Sequence, residues 1–137
     1  MKEILAKKLF IGEKEFTIKE LLEEVLKESN FRYLPDMAKF IAEDIMLTQR
    51  EKFYPFQLAP IIGQLKSLEL KEENIQRISL IKPLIFYLSK KYINNTGVNE
   101  ILDIIEEGID IIEENPKRLA NLLLLLKAIL AYYSSIE

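Results

Sequence analysis

The sequence predicts an all-α protein, a compact or elongated bundle of about five to six helices, with a possible short hairpin or irregular segment at its N-terminus. Three observations carry this reading. Half of the 137 residues (49%) are apolar, yet there are only four glycines and five prolines, so the chain has few turn formers and many straight-chain helix formers. Apolar residues recur at three- and four-residue spacing along most of the chain. Helix start and stop signals separate these stretches. The length suits one helical domain over residues 1–137.

The first segment, Lys8–Ile18, has two short apolar runs around Gly12 and suits either a small hairpin or a frayed helix followed by a turn. Thr17 and Glu20 have the spacing of a capping box, and the helix behind them (Ile18–Ser29) sets Leu21, Leu22, Val25 and Leu26 on one face. Pro35 fits a first helical turn, after which Met37, Phe40, Ile41, Ile45 and Met46 keep helical spacing. Thr48–Pro55 is a predicted break, because Pro55 disfavours helix at Tyr54. A short helix near Phe56–Leu68 follows, kinked or delayed by Pro60.

A longer helix is expected from Lys71–Asn74 to about Tyr92, with Ile78, Ile81, Leu84, Ile85, Leu88 and Tyr92 as its inner stripe and a bend at Pro83. Asn94–Gly97 reads as a turn. Val98–Glu114 is a strong amphipath: Ile101, Ile104, Ile105, Gly108, Ile109 and Ile112 form one side. Acids fill the rest of it, and they are expected to stay solvated. Asn115-Pro116 ends this helix. The last helix, from about Lys117 to Ser134, contains five consecutive leucines, Leu122–Leu126. A helix apolar all round must be covered all round, so either it is central to the fold or a partner covers it. Lys127 interrupts its apolar run, which argues for a buried helix over a membrane span.

The formal net charge is −3, which does not advertise nucleic-acid binding as a whole-molecule property. The charge is nonetheless segregated. Arg77–Tyr92 carries Arg77, Lys82, Lys90 and Lys91 and no acid; Lys117–Ile136 carries Lys117, Arg118 and Lys127 and no acid; Val98–Glu114 carries only acids. The bland reading is a wet acidic face with scattered lysines. The sharper one is a local basic patch, with Phe86, Tyr87, Tyr92, Tyr132 and Tyr133 interleaved as in a surface for single-stranded RNA. Phe86 and Tyr132 are expected in the core.

Without Cys or His, disulfides, thiolate nucleophiles, Cys/His zinc sites and imidazole acid–base chemistry are all removed. No carboxylate is expected in an apolar setting that would raise its pKa. Asp36, Glu43 and Asp44 show no spacing that demands a metal, and the isolated glycines build no phosphate loop. Ser89 and Lys90 are helix neighbours and do not face each other. No catalytic site, metal or cofactor is therefore expected.

Two C-terminal segments carry a family resemblance. One is Leu80-Ile81-Lys82-Pro83-Leu84-Ile85-Phe86-Tyr87 with Lys90-Lys91; the other is Lys127-Ala128-Ile129-Leu130-Ala131-Tyr132-Tyr133. Over about 60 residues, Lys71–Ile136, the chain resembles the small helical subunit of type III-A CRISPR–Cas (Csm) effector complexes. Upstream, Gln57 and Leu58 fit the family's mid-chain helix start, but Ala59 and Pro60 stand where the family has a basic pair. The cytoplasm is the expected location, since Lys7 and Lys8 break any secretory pattern in the first residues. The resemblance implies a non-catalytic subunit that stacks in several copies beside the backbone and large subunits, along the guide RNA and its target. On that reading Lys82, Lys90, Lys91, Arg118 and Lys127 are candidates to neutralise RNA phosphates. Leu122, Leu123, Leu126 and Tyr133 are candidates for contact with another copy. The competing expectation is a helical protein–protein adaptor or self-associating module that binds no nucleic acid.

Overall fold

The computed structural model describes residues 2–136; Met1 and Glu137 lie outside the described residues. A short helix α1 (Glu3–Ala6) leads into two antiparallel strands, β1 (Lys8–Ile11) and β2 (Lys14–Thr17), with Lys8 opposite Thr17 and Ile11 opposite Lys14. Of the two readings open for this segment, the hairpin is the one that forms. Gly12 makes the reversal at φ +65°, a conformation that costs glycine little. Strand alternation turns Phe16 into the core and leaves Phe10 in solvent.

Thr17 ends β2 and caps α2 (Ile18–Leu26). Its hydroxyl accepts from the Glu20 N–H at 3.1 Å, and the Glu20 carboxylate accepts from the Thr17 N–H at 2.8 Å, which is the predicted capping box. Leu21, Leu22, Val25 and Leu26 are buried as expected. The helix stops short of Ser29 because Ser29 turns into the left-handed region. There the buried Asn121 amide donates to the Leu26 carbonyl at 3.1 Å and to Ser29 Oγ at 3.0 Å, taking over an orphan helix-end acceptor.

Helix α3 (Leu34–Thr48) has Pro35 in its first turn and buries Met37, Ile41 and Ile45, with Phe40 and Met46 partly covered. The break after Thr48 forms. Within it Phe53 is buried edge-on against Tyr133, ring centres 4.9 Å apart. A turn of 3-10 helix (Pro55–Leu58) precedes α4 (Ala59–Leu70), so Pro60 delays the helix rather than kinking it. The single helix expected from about Lys71 to Tyr92 is divided. Residues Glu72–Leu80 wind as 3-10 helix, and α5 (Ile81–Lys91) begins afterwards with Pro83 in its first turn, where a missing N–H removes no hydrogen bond. The inner stripe survives the change: Ile78, Ile81, Ile85 and Leu88 are buried, and Leu84 and Tyr92 pack at its edge.

Helix α6 (Thr96–Ile112) starts inside the segment read as a turn. Asn95, buried, caps it by accepting from the Val98 N–H at 3.0 Å, while its amide holds the Lys52 carbonyl at 3.1 Å. Gly97 is a packing glycine rather than a turn glycine: an added Cβ would lie 2.8 Å from Ile45 Cγ2 and from Phe53 Cβ. Helix α7 (Pro116–Ile136) is the axis of the bundle and packs against α2, α3, α4 and α6. By length and composition it could cross a membrane. In this fold Leu119, Leu122, Leu125, Leu126, Ile129 and Tyr133 instead face the protein's own core. Of the two readings of the leucine run, the central helix is the one the fold realises, though Leu124 stays half exposed.

Candidate nucleic-acid interface

Because α5 buries Ile81, Ile85 and Leu88, helical geometry turns Pro83, Phe86, Tyr87 and Lys90 outward. Phe86 is 65% and Tyr87 59% exposed, which corrects the expectation that Phe86 is core. The Lys90 ammonium lies 5.4 Å from the Phe86 ring centre and Lys91 5.5 Å from that of Tyr92, where α5 ends. Such exposed cation–ring contacts contribute about 0.5–1 kcal/mol and leave the charge available. Among the described residues no carboxylate pairs with Lys90 or Lys91. The basic pair also stands at a helix C-terminus, where it complements the helix dipole.

The other basic candidates are placed differently. Lys82 reaches across to α6 and donates to Asp110 at 2.9 Å, so a phosphate there would meet an acidic neighbour. Arg118 is mostly covered; its guanidinium donates to the Ile111 carbonyl at 2.8 Å, closing the end of α6, with Glu113 at 3.7 Å. Lys127 lines a groove of about 630 Å³ between α4 and α7 that it shares with Lys66, Glu69, Leu70, Leu123 and Leu124. Lys90 and Lys91 thus form the pair without a carboxylate partner among the described residues, Lys82 on the same helix is tied to Asp110, and Arg118 and Lys127 belong to α7.

Of the four side chains read as self-association candidates, Leu122, Leu126 and Tyr133 are buried within the chain's own core. The Tyr133 hydroxyl is 3.1 Å from the Phe53 carbonyl, and that partner lets a tyrosine be fully enclosed. Leu123 alone is partly accessible, and Leu124, which was not singled out, is the more open of the two. Tyr132 packs partly buried at the core edge.

One feature of the acidic helix departs from expectation. Glu100 is not on a solvated face: it packs against Asp44 of α3, and its pKa is pushed up to about 8, first by burial and then by the hydrogen bond and charge of Asp44. Burial likewise raises Asp103, against the pull of Lys2. A signal for Glu100 was present, since it precedes Ile104 and Gly108 by four and eight residues and shares their inward stripe. A second surface feature was missed as well. Tyr54 and Phe56, both exposed, stack at 5.6 Å beside the segment where Ala59 and Pro60 replace the basic pair. No spacing rule marks that pair, because both residues lie outside the regular helices.

The family described as Csm2 Type III-A matches residues 6–137. No curated protein and no solved structure matches the chain. Nearly the whole length is thus covered, including the hairpin and helices α2 to α4, upstream of the two segments that carry the residue-by-residue resemblance. The chain belongs to the Csm2 family, the small subunit of type III-A Csm complexes.

Proposed function

We propose that this subunit acts in the cytoplasm as a non-catalytic helical domain that contacts the guide and target RNA backbone without reading sequence, with Lys90 and Lys91 as the principal phosphate ligands and Phe86 and Tyr87 beside them. The observation that carries the reading is the exposed basic and aromatic end of α5, set on a protein whose net charge is negative. Local positive charge of this kind neutralises phosphates even when the whole molecule is anionic. Lys127 is a secondary ligand on another helix; Lys82 and Arg118 act mainly within the fold. Stacking of repeated copies, and attachment to the backbone and large subunits, is supported by the apolar groove between α4 and α7, where Leu70 and Leu124 remain exposed.

The test is target-RNA affinity of the assembled complex across a range of salt, with this subunit native or carrying Lys90→Ala and Lys91→Ala. Affinity falls and the salt dependence flattens by roughly one unit of slope per lysine. If affinity and slope are both unchanged, the patch is not a phosphate site. The groove then favours the second reading, an adaptor that joins protein subunits and leaves RNA to its neighbours.

A further inference from the structure

The N-terminal segment is tied to the bundle by charge as well as by apolar packing. Ile4 and Leu5 are buried, Lys2 pairs with Asp103 and Glu106 of α6, and the Lys7 ammonium lies 2.8 and 2.7 Å from the two Asp44 oxygens of α3. Beside that pair stands Glu100 of α6. One of its oxygens has only the Thr48 hydroxyl at 3.5 Å, and the other, Oε2, is buried with no ordinary hydrogen-bond partner. The Thr48 hydroxyl is already committed to the Asp44 carbonyl at 2.7 Å. A small cavity of about 230 Å³ lies here, lined by Glu3, Ile4, Lys7, Thr48, Thr96, Asn99, Glu100 and Asp103.

A buried carboxylate oxygen facing a second carboxylate is unfavourable unless a proton lies between them. Among the described residues no three acid, Cys or His side chains converge closely enough to hold a metal ion, so a bound cation is not the remedy the geometry offers. We propose that Glu100 and Asp44 share one proton, and that this proton is a latch fastening the N-terminal segment, residues 2–17, to α3 and α6. In the closed state Glu100 donates to Asp44, and the single negative charge left on the pair is matched by Lys7. When the latch opens at neutral pH, Glu100 gains water and releases its proton to solvent base. The groups facing the pair are Glu3 from α1, Lys7 from the turn after it, Thr48 from α3 and Asp103 from α6. Lys7 opposes protonation of Glu100, and Asp44 favours it.

The sign follows from linkage. The closed state holds the Glu100 proton up to about pH 8; opening removes the burial that is the largest cause of that rise, and with Asp44 still beside it the open Glu100 releases its proton at a lower pH that stays above the ordinary glutamate value. The stabilisation is complete below the open-state value, declines as pH rises through it, and is gone above about 8.

Hydrogen exchange of the full-length protein, corrected for the intrinsic pH dependence of exchange, reads this directly. Protection of residues 2–17 is expected to fall by up to roughly tenfold per pH unit between pH 5 and 8 and then level off. Glu100→Gln carries a permanent amide donor toward Asp44 and is expected to remove most of that dependence, leaving the smaller part that Asp103, also raised by burial, contributes. Asp103→Asn, which alters the other raised acid on α6, is expected to retain the larger part. Carbon-13 carboxyl shifts of the unmutated chain supply an independent reading, with Glu100 titrating at about 8. An ordinary Glu100 titration, or a pH dependence undiminished in Glu100→Gln, overturns the proposal.

Discussion

At the residue scale, Gly97 and Gly63 make opposite predictions from the same substitution. A methyl at Gly97 would press on Ile45 and Phe53 at 2.8 Å, whereas nothing lies within 4 Å of one at Gly63. Removing a helical glycine gains up to about 1 kcal/mol, and overpacking a closed core costs about 1–3 kcal/mol. Gly97→Ala should therefore lower stability by about 1–2 kcal/mol, and Gly63→Ala should raise it by about 0.5–1 kcal/mol, both read by chemical denaturation. A loss at Gly63, or a gain at Gly97, would show that the packing around these helices is misjudged. Neither role was legible beforehand: a glycine after Asn-Asn-Thr reads as turn chemistry, and only the approach of α3 and the buried Phe53 loop reveals its steric purpose. Glu100 failed for a related reason. The other charged residues of its helix are all acids on the outer side, and Glu100 reads as one of them although its spacing to Ile104 and Gly108 points inward. Lys82 and Arg118 show the limit from the other side, because whether a cation is committed to a carboxylate or a helix-end carbonyl depends on elements distant in sequence.

At the element scale, local signals were most readable where the chain needs nothing from elsewhere. The capping box at Thr17 and Glu20 is complete within four residues, and it formed as read. Thr17→Ala should cost about 1 kcal/mol by leaving a first-turn N–H without its acceptor, with the loss recorded as a lower denaturation midpoint at unchanged slope. A neutral outcome would mean that water replaces the hydroxyl without penalty. Helix limits that depend on tertiary partners were less legible. Helix α2 ends early under the grip of Asn121, nearly a hundred residues away, and the segment before Pro83 tightens into 3-10 helix where a continuous α-helix was expected. The hairpin was undecided in the sequence because two four-residue strands carry little periodicity; burial of Phe16 decides for it.

At the scale of the whole molecule, segregated charge and a greasy final helix were both visible in the sequence, and the fold gives each a physical place. The leucine run becomes the bundle's axis, so most of what reads as an association surface is core, with Leu123 and Leu124 left accessible beside the α4–α7 groove. The basic segments divide as well: part of their charge balances the acidic helix from within, and the end of α5 keeps the remainder facing outward with its aromatic rings. Family membership assigns the chain to the Csm complex, and the RNA contact proposed for it lies at the exposed end of α5. The most direct measurement is ultraviolet crosslinking of the RNA-loaded complex, followed by mass spectrometry of the crosslinked peptides. The account predicts RNA adducts on the peptide spanning Phe86, Tyr87, Lys90 and Lys91, and their loss when both lysines are replaced. RNA adducts confined to other subunits, with none on α5, would contradict it.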